Sequence, residues 1–200
     1  NAMKILVTGA NGFIGRHFCA QAVGRGLRVV ATSRNSCDLP AVGPSLATGT
    51  IDEKTNWVEF LGGCDVVVHL GGPPEILHGS ILEQQAEFHR VNVEGTLNLA
   101  QQATQQMVKR FIFISSIKVN GEYTPHGRPF VANDVPAPQS AYSQSKLAAE
   151  IGLQQLSKET GMEVTIIRPP LVYGSGVKGN FQNLVKLIQL GVPLPFGCIK

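Results

Sequence analysis

Apolar residues follow two rhythms along this chain. Five short runs, within residues 5–7, 28–32, 64–70, 110–115 and 164–169, are apolar almost without interruption and read as strands buried on both faces. Between them the apolar positions recur at helical spacing, which predicts helices over residues 13–24, 82–107, 140–160 and 180–190. Residues 35–49 are turn-rich, with a short strand expected near their end, and 120–138 form a Pro/Gly-rich loop. Trp57 and Phe60 fit a helix face packed on the sheet, and His69 fits a hydrogen-bonded core position. Strands of this kind alternating with helices predict an α/β fold with a doubly wound parallel sheet. The expected organisation is a dinucleotide-binding domain over residues 3–170, then the beginning of a smaller substrate-binding region over 171–200.

Composition narrows the classes. The chain has 200 residues, 43% of them hydrophobic, enough for a packed core and too many for disorder. Its net charge of +3 comes without a Lys/Arg block, so no nucleic-acid or membrane partner is expected. Cys19, Cys37, Cys64 and Cys198 are scattered, so neither a metal site nor a disulfide framework is expected. No apolar run reaches the ~18 residues that span a bilayer, and the expected location is the cytoplasm. Asn1-Ala2 ahead of Met3 reads as a cloning remnant. The final "PLPFGCIK", with no helix cap or polar tail, reads as a chain that stops within a fold.

Three pieces carry chemistry. "TGANGFIG" places Gly9, Gly12 and Gly15 between a strand and a helix. Such a turn allows a tight bend and a close approach of pyrophosphate to the helix N-terminus, with Gly15 letting the helix pack against the sheet. Asn11 stands where the commoner fingerprint has its second glycine. The second strand ends in Ser33-Arg34 with no acid, which favours a 2′-phosphate and hence NADP over NAD; Arg34 also reads as an ordinary surface cation. Finally, Tyr142 and Lys146 share a helix face at i, i+4. An ammonium about 4 Å from the phenol, at an effective dielectric of ~20, favours phenolate by about 4 kcal/mol. That is roughly three pKa units, bringing the phenol near 7. Ser116, just past the fifth strand, is the candidate third member. Alone, these three read equally well as polar helix positions and a capping serine; the glycine loop upstream favours an active site.

In this order the motifs resemble the extended short-chain dehydrogenase/reductase family, and within it the NAD-dependent epimerase/dehydratase branch that acts on nucleotide sugars. "TGANGFIG" is similar to the family's TGxxGxxG, "DVVVHLGG" to DxVxHLAA, and "VNVEGTLNL" to its NxxGT stretch. "SSIKVNGE" resembles SSxxVYG, "YSQSK" resembles YxxxK, and "IIRPPLVYG" resembles RPxxVYG. The resemblance implies Tyr142 as acid/base, Lys146 as ribose ligand and tuner of Tyr142, and Ser116 as partner of the reacting oxygen. It also implies cofactor contacts at Gly9, Asn11, Gly12, Phe13, Ile14, Gly15, Ser33, Arg34, Ile51, Leu70 and Lys146. Substrate contacts are implied at Asn180, Phe181 and Pro195, and a homodimer through the helices of 82–107 and 140–160.

The departures are informative. Ile117 and Lys118 occupy the positions where family dehydratases carry Asp-Glu, which disfavours dehydration. Asn120 replaces a common Tyr, and Thr50 stands before Ile51 where an Asp is frequent. The implied activity is that of a nucleotide-sugar 4-epimerase or 4-ketoreductase using NAD or NADP. The alternatives are a dinucleotide-binding sensor without turnover and a reductase of a non-sugar carbonyl.

Overall fold

The computed structural model describes residues 2–75, 77–124, 126–176 and 180–190. Six strands form the main sheet: β1 (Lys4–Thr8), β2 (Arg28–Ser33), β5 (Leu46–Ala47), β6 (Val66–His69), β7 (Arg110–Ile114) and β8 (Glu163–Ile167). Their spatial order is β5-β2-β1-β6-β7-β8, every pairing parallel. The chain thus runs outward from β1 to one edge, crosses back and runs outward to the other. Ligand crevices of doubly wound sheets open at that reversal, beyond the carboxyl ends of β1 and β6.

Alternation along the strands sorts the core into two layers. Leu6, Val67, Phe111 and Phe113 point to one face, beneath Leu99 and Ala103 of α4 (Thr96–Gln105) and Leu153 of α5 (Ala141–Thr160). Ile5, Val7, Val66 and Val68 point to the other, against Cys19 and Ala22 of α1 (Phe13–Gly24). Fully burying each large apolar side chain stabilises the fold by about 1.5–3 kcal/mol.

Several elements differ from the periodicity reading. β3 (Asp38–Leu39) and β4 (Gly43–Pro44) form a small antiparallel hairpin in the turn-rich stretch. The one-turn α2 (Val58–Leu61) carries the Trp57–Phe60 face onto the core. The long helix expected over 82–107 is three pieces: α3 (Ile81–Phe88), a π-helical stretch (His89–Gly95) and α4. Gly95 permits this packing, since a Cβ there would lie 2.8 Å from Ile51 Cγ2. The internal contacts divide the chain into Asn1–Pro170 and Leu171–Lys200, the latter containing α6 (Asn180–Gln189). No helix among the described residues is long and apolar enough to cross a membrane.

Candidate active site

The glycine turn is set by sterics. Gly9 adopts φ +64°, and a Cβ on it would lie 2.8 Å from the Gly71 backbone. A Cβ on Gly15 would lie 2.2 Å from Gly9 O, so Gly15 packs against the turn itself rather than broadly against the sheet. Gly12 is the N-cap of α1, and no side chain caps that helix. By contrast, α3 and α5 each begin with a complete capping box, Ser80/Glu83 and Ser140/Ser143. The first N–H groups of α1 therefore keep their hydrogen-bonding capacity, in the arrangement that suits a pyrophosphate. Phe13 and Ile14 form the first turn of that helix, half-buried.

A cleft of about 300 Å³ opens in front of this turn, reaching from Gly9 and Asn11 to Ser33, Arg34 and Ile51. Ile51 fills the space beneath the missing side chain of Gly71, its Cδ1 2.6 Å from where a Cβ would be. Leu70 does not line the cleft. Its side chain packs on the core at the carboxyl end of β6, and Gly71 and Gly72 form the wall instead. The Ser33 hydroxyl is also less available than expected, because it donates to Asn35 O at 2.8 Å and lies against Ser45 Oγ. Arg34 is exposed at the cleft, and no ion pair is recorded for it among the described residues. The fit to a dinucleotide rests on the glycine cradle, the uncapped helix and the cation at the far end.

His69 ties the loop after β6 to the turn. Gly71 N–H donates to Thr8 Oγ1 (3.0 Å), the Thr8 hydroxyl lies 2.6 Å from His69 Nδ1, and Nε2 lies 2.9 Å from Thr96 Oγ1. Each ring nitrogen thus faces a threonine hydroxyl, which can donate or accept, so both nitrogens of the neutral ring are satisfied in either tautomer. Burial pushes the His69 pKa down to about 3, with the Lys146 charge adding to it, so the ring is a neutral strut.

Tyr142 lies in the first turn of α5, its ring edge-on to Phe88 at 5.6 Å. Lys146, one turn on, is 6% exposed and donates to Ile114 O at 3.1 Å, at the end of β7. Its Nζ is 4.8 Å from the Phe113 ring centre and 5.9 Å from that of Tyr142. Burial pushes its pKa down to about 8, opposed by Glu150. The Tyr142 phenol differs from expectation. Burial raises its pKa, Glu75 raises it further and Lys118 lowers it. The lowering expected from Lys146 does not appear, because that ammonium is turned to a backbone carbonyl and an aromatic face. Ser116 caps the 3₁₀ turn Ile117–Val119, accepting from Lys118 N–H at 3.2 Å and keeping its own proton available to donate. Asn180 and Phe181 open α6; their side chains, and Pro195, lie outside the described residues.

Asn92 was missed by the sequence reading. The π-helical stretch holds it buried, with Nδ2 donating to Ser145 Oγ at 3.0 Å and Oδ1 without a partner among the described residues. A Cβ on Gly72 would lie 3.0 Å from that Oδ1 and 3.7 Å from Lys146 Nζ, so both atoms border the space which that glycine leaves. π-Helical insertions recur at functional sites, and an unpaired buried oxygen is costly unless something completes it. The available signal was Asn92 as the first residue of the NxxGT-like stretch, to which no site role was attached.

Behind the site lies a second cavity of about 340 Å³, bordered by Asn120, Glu150 and Arg168. Their polar groups are already joined: Arg168 Nε donates to both Glu150 oxygens (3.0 and 3.2 Å) and Nη1 donates to Asn120 Oδ1 (3.0 Å). Asn120, which departs from the family's Tyr, is thus an anchor for the Arg168 guanidinium.

Comparison with known proteins agrees with this geometry. Residues 5–193 match the family model described as the NAD dependent epimerase/dehydratase family. The chain is 42% identical over 196 residues to the UDP-glucose 4-epimerase of Vibrio cholerae, covering 98% of this chain and 60% of that protein. The solved structure of MoeE5 in complex with UDP-glucose and NAD superimposes with a TM-score of 0.77 at 29% identity, covering 96% of this chain and 62% of MoeE5. UDP-glucuronic acid 4-epimerase from Bacillus cereus in complex with NAD gives a TM-score of 0.78 at 27% identity, covering 96% and 65% respectively. The chain therefore spans somewhat less than two thirds of the length of these relatives. With a match over nearly its whole length, it belongs to the NAD dependent epimerase/dehydratase family.

Proposed function

We propose that this chain carries the cofactor site and the acid–base residues of an NAD(P)-dependent enzyme that acts at C4 of a nucleotide sugar, as a 4-epimerase. The carrying observation is the placement of Tyr142 and Lys146 beside the carboxyl end of β7, next to an uncapped glycine turn. The similarity to a UDP-glucose 4-epimerase supports the reaction. On this reading the Gly9–Gly15 turn holds the pyrophosphate, Arg34 and Ile51 border the adenosine, and Lys146 holds the nicotinamide ribose. The bound dinucleotide supplies hydride exchange at the sugar carbon. Tyr142 Oη takes the proton of the sugar hydroxyl and returns it, while Ser116 Oγ donates a hydrogen bond to the same oxygen. An NAD-loaded sample incubated with UDP-glucose is expected to yield UDP-galactose on chromatography. Unchanged UDP-glucose, with cofactor binding demonstrated, would remove this reading.

One observation favours a second reading, a 4-ketoreductase using NADPH. Arg34, with no ion pair among the described residues, lies at the adenosine end of the cleft, where a ribose 2′-phosphate is attracted and a carboxylate would repel it. Titration with NADH and NADPH, followed by nicotinamide fluorescence, separates the two. Tighter NADPH binding that Arg34→Ala abolishes supports the reductase, and tighter NADH binding supports the epimerase. The exposed Ile81 and Leu82 of α3 and Ile151 of α5 support a homodimer through these helices, and a light-scattering mass of one chain would oppose it.

A further inference from the structure

Lys118 is the one charged side chain on the 3₁₀ turn that Ser116 caps. Two carboxylates hold its ammonium: Glu75, reaching over from the loop after β6, and Glu122, at 3.4 Å from the segment that follows the turn. All three side chains are partly exposed, so the cluster lies at the surface of the site and not within the core. The Lys118 N–H donates to Ser116 Oγ at 3.2 Å, which ties the cluster to the turn that carries the candidate catalytic serine, and Lys118 and Glu75 both bear on the Tyr142 phenol. Among the described residues, Lys146 from the same helix, directed at Ile114 O, and the uncharged Phe88 ring also lie against Tyr142.

We propose that Glu75, Lys118 and Glu122 act as a charge filter that selects against a carboxylate on the reacting sugar, so that the preferred nucleotide sugar carries an uncharged hexose. This rests on the nucleotide-sugar reading above and narrows it. A lone lysine beside the acid–base tyrosine would be a ready partner for a sugar carboxylate. Here both of its neighbours are already carboxylates, and one cation between two anions leaves an unbalanced negative charge. An incoming uronate must displace a glutamate into water or sit against that charge. Like charges a few ångströms apart in a partly screened site disfavour binding on the order of tenfold. Relatives of the same fold are seen with UDP-glucose and act on UDP-glucuronic acid, so the backbone does not make the choice.

Calorimetric titration of the NAD-loaded protein with UDP-glucose and with UDP-glucuronic acid tests the filter. UDP-glucose is expected to bind about tenfold more tightly or better. Glu122→Gln and Glu75→Gln should each reduce the ratio of the two dissociation constants severalfold, and about 0.5 M salt should reduce it in the wild type. A purely structural role for these side chains would change both affinities together and leave the ratio fixed. Equal or tighter binding of UDP-glucuronic acid, or a ratio unmoved by both substitutions, overturns the filter and leaves the parent reading standing. Failure of both nucleotide sugars to bind overturns the parent reading, and the filter with it.

Discussion

The two halves of the site are built by opposite means. At the cofactor turn the structure works by leaving atoms out: Gly9 and Gly15 let backbone approach backbone, and Gly71 and Gly72 leave room for the side chains of Ile51, Asn92 and Lys146. Around Tyr142 it works by bringing charges in, from α5, from the loop after β6 and from the turn after β7. A steric solution is all-or-none, because an added carbon cannot be partly accommodated. An electrostatic one is graded, because partners shift and solvent screens. The first half should therefore fail abruptly under substitution and the second by degrees, except at the atom that carries the proton.

That exception gives the largest effect. Tyr142→Phe removes only Oη and keeps the ring against Phe88. Turnover is expected to fall by about 10³-fold while dinucleotide affinity, read by fluorescence, stays close to wild type. Turnover within tenfold of wild type would take Tyr142 out of the acid–base role.

Next comes the steric half. Gly15→Val puts a branched side chain where even a Cβ lies 2.2 Å from Gly9 O. The turn must move, and kcat/KM for the cofactor should drop roughly 100-fold. Gly24→Ala is the matched control: it lies at the far end of the same helix, and an added Cβ meets nothing within 4 Å. A similar loss in both variants would mean that cofactor binding responds to any substitution in this helix and not to the cradle.

A buried ion pair sharpens the charged half. Glu150 is 1% exposed, and its carboxylate is gripped by Arg168. Glu150→Ala leaves that guanidinium without its counter-ion and should destabilise the dinucleotide-binding unit by about 3 kcal/mol in urea unfolding. Replacing the pair by Leu and Met should recover most of the loss. If the single variant is as stable as wild type, the charges in this half are less tightly coupled to the fold than the geometry implies.

What could be read beforehand divides along the same line. The parallel sheet was legible because β-branched runs such as Val66–Val68 are apolar on both faces. The steric turn was legible because glycines at fixed spacing have few other uses. The π-helical stretch was not, since over seven residues its periodicity is close to that of an α-helix. Two-residue strands such as β3 and β4 have no period to detect. The direction of the Leu70 side chain, into the core while its backbone lies against Gly9, was not legible, because one step along a strand end decides which face a side chain takes. The partners of the Ser33 hydroxyl were not legible, because Ser45, twelve positions on, returns to meet it. The charges around Tyr142 were least legible of all: Glu75 and Lys118 are 43 residues apart and meet only through the loops that fold them together.

Lys146 offers the most diagnostic effect, spread over a pH window and not lost at one step, because stability and activity should respond to it in opposite directions. Its pKa in the folded chain is about 8, depressed mainly by burial, against an ordinary value of about 10.4 in the unfolded chain. Below about pH 8 the group is charged in both states, and the folded state bears the full desolvation penalty of the cation. Between about pH 8 and about 10.4 the unfolded chain holds a proton that the folded chain has released, so stability rises with pH across that window. The gain contributed by this one group is on the order of 3 kcal/mol once the window is crossed. Activity should run the other way. A neutral amine loses its charge-assisted bond to a ribose hydroxyl, so kcat/KM should decline as pH climbs through 8. Urea midpoints of wild type and Lys146→Met across pH 7–10 isolate the stability part, since Met does not titrate and the difference between the two curves must slope upward. A flat difference would mean that Lys146 stays charged beyond pH 10, and a difference already climbing at its full slope from pH 7 would mean that it is neutral there. The activity profile distinguishes those two outcomes, because only a lysine that stays charged keeps full activity at the alkaline end.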